Sequence, residues 1–393
     1  MLYRQHNNYN HSKLVLIVTI NIKLKKGKIK MEFGMFYVLE SPDGEFKRAY
    51  DEMLGQIEYG EELGFDSVWL AEHHSTAYGS IPNPAVAMAA IAERTKKIKI
   101  GSLISVLPLG NPIRIAEDYA MADIISGGRL QFGVGRGYQP TEFKQLGVSM
   151  ERTRDRFKEE LEIITGLWEN ESFSYDGEFY QLDNVTLRPR PIQKKIPTYV
   201  GSISPETFDL VANMGLNIAA TPTLSTLDEL KVQLKDARET LISKGMNQKD
   251  IDFVVNLQMH VADNADVVFE KTKDYFDWYF DYVGQLVPGG MVPETGERQE
   301  IVESYEAFGE VAKSMTGITY DQLRQAGTIH VDGPQKLIEE IEEMQETFGL
   351  TQLSCWQRIG GMSDKLVRES MERMATDVIP YFKKKAAKQE VKS

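Results

Sequence analysis

From Phe33 onward, short apolar runs alternate with longer stretches in which apolar residues recur at helical spacing. "FGMFYV" (33–38) precedes a helical stretch over 46–63, closed by Gly64. "SVWLAEH" (67–73) precedes "NPAVAMAAIAERT", where Pro84 falls in the first helical turn and its missing N–H costs nothing. "IKIGSLISV" (98–106) leads into "NPIRIAEDYAMADIIS", and "RLQFGVG" (129–135) leads into a helix over 151–168. Four such pairs in succession predict parallel strands joined by right-handed crossovers.

The second half repeats the pattern less regularly. Strands are expected at "TYVGS" (198–202), "NIAAT" (217–221), "DFVVNLQMHV" (252–261) and "LSCWQR" (353–358), with helices near 205–214, 226–243, 264–282 and 363–378. Eight strand–helix pairs suit an α/β fold of the (β/α)8 TIM barrel type with insertions better than an open doubly wound sheet. One insertion is a hairpin over 172–190, turning at Asp176-Gly177. The other is a long irregular segment, 283–330, between strands 7 and 8; its Gly and Pro content fits a mobile lid. A helix over 333–349 then leads into the last strand, and "KKKAAKQEVKS" reads as a solvated tail.

Composition narrows the function classes. The 393 residues carry a formal net charge of -13, which argues against nucleic acid or an anionic membrane bound through a broad basic face. One cysteine, Cys355, excludes an intramolecular disulfide and any multi-cysteine metal site, and agrees with a reducing cytoplasm. Residues 1–30 differ from the rest. They are strongly basic, with an apolar run from Leu14 to Ile20 too short for a signal peptide or a membrane span. They read as a non-physiological or disordered extension, with Met31 the start of a single barrel domain over 31–393.

Candidate chemistry begins at "EHH", residues 72–74, in a chain with six histidines. Neighbouring residues on a strand point to opposite faces, so His73 and His74 cannot share one metal ion unless the strand has already ended. No metal site is expected. A histidine at a strand end of such a barrel can instead exchange protons near neutral pH, and a hydrogen-bonded structural role is the bland alternative. In "GRLQFGVGRGYQPTEF" (128–143) the glycines at 133, 135 and 137 do not form a dinucleotide fingerprint. They would let a ligand approach the backbone beside Arg136, unless this is simply a tight turn. "YVGSISPETF" (199–208) places Ser204 at an N-cap, Pro205 at the first helical position and Thr207 nearby, an opening that favours an anion or merely caps a helix. Arg152, Arg154 and Arg156 crowd a helix start, where positive charge opposes the dipole and asks for an anion or for carboxylates such as Glu151 and Asp155. Phe36, Trp69 and Trp356 stand near strand ends as pocket lining or as core.

In this order and spacing the segments resemble the bacterial luciferase-like flavin-dependent monooxygenases. The carrying stretches are "FGMFYV", "EELGFDSVWLAEHH", the run from "NPAVAMAAIAERT" through "GVGRGY", "PTYVGSISPETFDLVANMG" and "VIPYF", together covering Met31 to about Phe382. The resemblance implies a barrel that takes reduced FMN from a separate NAD(P)H:flavin reductase, binds O2 and forms a flavin C4a-peroxide that oxidises an aldehyde, alkane or related small molecule. It implies that His73 handles protons and that Arg136, Arg154, Ser204 and Thr207 hold the FMN phosphate. It sets Leu103 and Ile104 against the isoalloxazine ring, often through a cis peptide bond, and matches Glu142 to an acidic residue on the loop after the fourth strand, counted with the cofactor-binding set. A homodimer through helices near the second and third strands is also implied.

Two departures stand out. Gly135 occupies the place of a reactive cysteine in the light-emitting α subunits, so light emission is not implied. Ile203 replaces an acidic residue before the phosphate-binding serine. Two other readings share the barrel: hydride transfer with a deazaflavin, and a non-catalytic flavin-binding subunit.

Overall fold

Eight parallel strands close on themselves in the computed structural model, which describes residues 30–201, 204–222, 226–291, 296–299, 301–302, 305–306 and 319–390. The strands are β1 (Glu32–Tyr37), β2 (Ser67–Leu70), β3 (Lys99–Val106), β4 (Leu130–Gly135), the hairpin β5 (Phe173–Asp176) and β6 (Gln181–Val185), β7 (Thr198–Val200), β8 (Asn217–Ala220), β9 (Phe253–Val261), β10 (Ile329–Asp332) and β11 (Gln352–Trp356). The helices are α1 (Phe46–Leu63), α2 (Pro84–Arg94), α3 (Pro112–Ser126), α4 (Pro140–Gln145), α5 (Thr153–Glu169), α6 (Pro205–Met214), α7 (Leu227–Ser243), α8 (Ala265–Leu286), α9 (Tyr320–Gln325), α10 (Pro334–Thr347), α11 (Asp364–Arg373) and α12 (Ile379–Glu390). The barrel runs β1-β2-β3-β4-β7-β8-β9-β11 and returns to β1, every pair parallel. The expected (β/α)8 barrel is therefore the fold.

Local chemistry sets the helix starts. Asn83 accepts from Val86 N–H and Asn111 from Ile113 N–H, each with proline at the next position. Thr226 and Glu229 form a reciprocal capping box on α7. The barrel strands are covered on both faces, which is why they read as nearly continuous apolar runs. Trp69 of β2 and Tyr199 of β7 belong to strands that are not neighbours, yet their rings meet edge to face at 5.3 Å. They therefore fill the interior, and Trp69 is core.

Beneath them is a polar floor. The Tyr199 hydroxyl donates to Asp252 Oδ2 (2.7 Å), Gln352 Nε2 donates to both (2.7 and 2.8 Å), and Thr351 donates to Asp252 Oδ1. A cavity of about 430 Å3 opens at this N-terminal end, lined in part by Lys99, Arg129, Gln131 and Asp252. Catalytic groups of such barrels gather at the opposite end, so the cavity is not where the chemistry is expected.

Two expectations need correction. The helix after strand 7 continues to Leu286, because Phe276, Tyr279, Phe280, Val283 and Leu286 extend one buried stripe. The segment after it is not irregular throughout: α9 lies inside 283–330 and the unexpected strand β10 begins at its end. Gln258 pairs with both Trp356 and Ile329, so β10 takes the edge of β9 that β8 leaves after Val255. Residues 1–29 and much of 292–318, with the expected extension and part of the expected lid, lie outside the described residues.

Candidate functional site

β2 ends at Leu70, so the chain has already left the sheet when it reaches Glu72, His73 and His74. The two histidines then take separate partners. His73 Nδ1 lies 3.0 Å from Glu142 Oε1, and the same oxygen accepts the His74 backbone N–H at 2.9 Å. His73 is 8% exposed and Glu142 1%. The Gln139 amide nitrogen is also 3.1 Å from Nδ1, but an ionised carboxylate can only accept, so Nδ1 carries the proton donated to Glu142 and Nε2 is left for other partners. The Tyr78 ring packs 4.5 Å from the imidazole. Its hydroxyl meets that of Tyr279 from α8 at 3.3 Å, and burial keeps both phenols protonated.

His74 Nε2 pairs with Glu72 Oε1 at 3.2 Å, while Glu72 Oε2 accepts from the Ser105 hydroxyl (2.8 Å) and Val106 N–H (3.0 Å). Burial alone would lower the His74 pKa; the Glu72 hydrogen bond and the nearby carboxylate charges raise it instead. This half of the motif ties the β2 loop to β3. Among the described residues no group of three or more His, Cys, Asp or Glu side chains is gathered to hold a metal ion.

β3 carries an irregularity between Ser102 and Ser105, and the Leu103–Ile104 peptide bond within it is cis. The glycines of "GVG" make room for this bulge. A Cβ on Gly133 would lie 2.2 Å from the Ser102 carbonyl oxygen, and one on Gly135 would lie 2.1 Å from Ile104 Cδ1. Their neighbour is β3 itself, which corrects the reading that they clear space for a ligand. Leu103 is 9% exposed and Ile104 is half-buried, both at the C-terminal end of the barrel.

Beyond the bulge lies the positive region. Gly201 N–H donates to the Val134 carbonyl (2.9 Å), so the loops carrying Arg136 and Ser204 leave the barrel from adjacent strands. Ser204 stands at the N-cap position of α6, and its hydroxyl lies 2.9 Å from that of Thr207. The Arg136 guanidinium stacks 5.1 Å above the buried Tyr305 ring, whose hydroxyl bonds Thr153 at 2.8 Å. The charge of Arg154 reaches the same phenol. Arg152 pairs with Asp155 and Glu178, and Arg156 approaches Glu160 at 3.5 Å, so carboxylates answer these two arginines, as Asp155 was expected to. Guanidinium groups, hydroxyls and a helix N-terminus are each donors of the kind that suits a phosphate, and they follow neighbouring strands. Ile203 lies outside the described residues.

The structure thus brings His73 and Glu142 together, sets Leu103 and Ile104 on the adjoining strand, and gathers Arg136 and Arg154 around Tyr305. Sequence reasoning missed Gln139, Tyr78, Tyr279, Tyr305 and a buried carboxyl, Glu40. None has a motif; Tyr279 lies on the apolar stripe of an expected helix and reads as core, and Tyr305 comes from the segment between strands 7 and 8, where no period showed which residues turn inward.

Residues 31–351 match the family model for luciferase-like monooxygenases. The oxygenase component of a flavin-dependent trigonelline monooxygenase from Acinetobacter baylyi is 27% identical over 363 residues, covering 90% of this chain and 96% of that protein. Among solved structures, the oxygenating constituent of 3,6-diketocamphane monooxygenase from Pseudomonas putida, in complex with FMN, superposes with a TM-score of 0.70 at 20% identity, covering 89% and 98%. An F420-dependent secondary alcohol dehydrogenase superposes with a TM-score of 0.68 at 20% identity, covering 89% and 98%. These two likenesses concern the fold. With its barrel and the family match over most of its length, the chain belongs to the luciferase-like monooxygenase family.

Proposed function

We propose that this chain is the oxygenase component of a two-component flavin-dependent monooxygenase, taking reduced FMN from a separate NAD(P)H:flavin reductase and inserting one atom of O2 into a small organic substrate. The other oxygen atom leaves as water, with both electrons drawn from the flavin. The observation that carries the reading is the buried His73–Glu142 pair at the C-terminal mouth of a barrel of this family.

Bound reduced FMN would supply electrons and oxygen activation; the chain's residues supply the rest. Arg136, Arg154, Ser204 and Thr207 would hold the phosphate, so that binding energy from a remote group positions the ring. Leu103 and Ile104 would set the ring's depth. Glu142 fixes the imidazole so that His73 Nε2 gives or takes the proton. Part of the segment after β9 covers this end: Gln299 accepts from the Thr141 N–H and hydroxyl, and Lys144 pairs with Glu297. Such cover excludes water.

A homodimer fits the same reading, supported by Val86 on α2 and Met121, Ile124 and Ile125 on α3, which are apolar and exposed. A cytoplasmic location fits the single buried Cys355, and no helix among the described residues is long and apolar enough to cross a membrane.

The test is anaerobic titration with reduced FMN, then rapid mixing with O2 while absorbance is followed. Tight binding and a transient distinct from reduced and oxidised flavin are expected. Failure to bind reduced FMN, with tight binding of a reduced deazaflavin, would move the chain to hydride transfer.

A further inference from the structure

The mouth holds a second buried carboxyl that the His73 cluster does not use. Glu40 lies just beyond β1 and is 0% exposed. Leu39 before it has φ 66°, a conformation rare for a bulky side chain, and this turn buries both residues. Arg358 Nη1 donates to the Glu40 carbonyl at 2.8 Å and fixes the backbone. Neither carboxylate oxygen has a hydrogen-bond partner. The Trp356 indole and the Gly360 N–H act on it from nearby without a well-formed bond, the indole N–H being donated to the Arg358 carbonyl at 3.0 Å. The cation facing Glu40 is Arg358, which also approaches Glu52 at 3.5 Å; from α8 the titratable group is Tyr279.

Gln258 of β9 repeats the anomaly. It is 1% exposed, its amide nears the Tyr279 hydroxyl, and neither amide atom makes a well-formed hydrogen bond. Its register partner is Trp356, and Phe36 pairs with the inward-facing Trp69, so these side chains share the barrel interior. Phe36 meets Trp356 at 4.9 Å and Trp356 meets Tyr279 at 5.1 Å, both edge-on. Buried polar groups are nearly always paired, so two unpaired ones in a ring-lined wall, at the end of the barrel where ligands bind, call for a partner that is not protein. Burial pushes the Glu40 carboxyl up to about 7 against the opposing charge of Arg358, so near neutrality it can donate as well as accept.

We propose that Glu40, with Gln258, anchors the substrate, and that this substrate is a compact ring compound bearing a carbonyl or hydroxyl oxygen rather than an unbranched alkyl chain. The proposal rests on the oxygenase reading for calling the ligand a substrate, but it is tested by binding, without turnover. The full chain, with and without oxidised FMN, is titrated calorimetrically with 1-indanone, with indane, which lacks the oxygen, and with unbranched heptan-2-one. Wild type should bind 1-indanone at least about tenfold tighter than either of the others. Glu40→Leu should erase the preference over indane and Glu40→Gln should keep part of it. Glu40→Leu should also be at least as resistant to denaturant as wild type, since an apolar group replaces an unpaired buried one, whereas loss of a purely structural contact to Arg358 would weaken the fold. The proposal is overturned if wild type binds no 1-indanone under either condition, if heptan-2-one binds as tightly, or if the preference over indane survives in Glu40→Leu. If Glu40→Leu does not fold, Glu40→Gln decides, and indiscriminate binding by it counts against the anchor. Failure of the oxygenase reading would show separately, in the flavin titration.

Discussion

The two ends of this barrel each bury a carboxyl and treat it differently. At the N-terminal end Asp252 receives hydrogen bonds from Tyr199, Gln352 and Thr351. At the C-terminal end Glu40 receives none, although it is the more deeply buried of the two. An unpaired buried acceptor costs roughly 1–3 kcal/mol relative to a paired one. The floor carboxylate is therefore held by the protein's own donors, and the mouth carboxyl is left without one. His73 and Glu142 stand between these cases, mutually paired at the mouth with Nε2 left for chemistry.

The sharpest way to break the comparison is to change His73. His73→Asn retains an N–H that can face Glu142 but has no titrating nitrogen. Oxygenation turnover should fall by about 10²–10⁴-fold, the range typical of a lost acid–base group, while stability to denaturant changes by less than about 1 kcal/mol. Steady-state product formation beside urea unfolding reads both. Unchanged turnover with a large loss of stability would place His73 with the floor residues.

The sequence shows one end of this site better than the other. Glu72, His73, Arg136 and Ser204 follow strand ends or cap a helix, and a strand–helix period locates those positions before any coordinates exist. The strand count of the barrel was also legible; β10, an added strand on the edge of β9, was not. The sequence could not show how the two histidines divide, with the His74 ring serving the β2–β3 link and the His73 ring meeting Glu142. Glu40 was not legible at all. Its burial depends on a left-handed turn at Leu39, a residue type that gives no hint of one. Likewise "GVG" showed that something approaches the backbone, but only the bulge in β3 shows that the neighbour is Ile104.

A smaller effect is expected at the floor. Tyr199→Phe removes the donor to Asp252 and the acceptor for Gln131 and Gln352 while keeping the ring against Trp69. Burial already raises the Asp252 pKa, and losing the Tyr199 hydrogen bond should raise it further. Stability should drop by about 1–3 kcal/mol with turnover unchanged once folded protein is matched. A loss of turnover instead would mean that the two ends of the barrel are coupled.

The finest distinction lies in how stability varies with pH. The Glu40 carboxyl is raised from 4.5 to about 7 in the folded chain by burial, with Arg358 opposing. The folded state therefore holds this proton more tightly than the unfolded chain does. The stabilisation from Glu40 is fully present below about pH 4.5 and is lost as pH rises through about 7, where the charge must be carried without a hydrogen bond. Glu40→Gln does not titrate, so the stability of the variant minus that of wild type should grow between these pH values and level off above them. The slope should not exceed ~1.4 kcal/mol per pH unit, the limit for one proton. Taking the difference at each pH cancels the other titrating groups, His74 among them, provided the substitution leaves their surroundings unchanged. A difference that stays flat across the window would mean that the Glu40 charge is compensated within the protein, and the contrast between floor and mouth would then reduce to His73 alone.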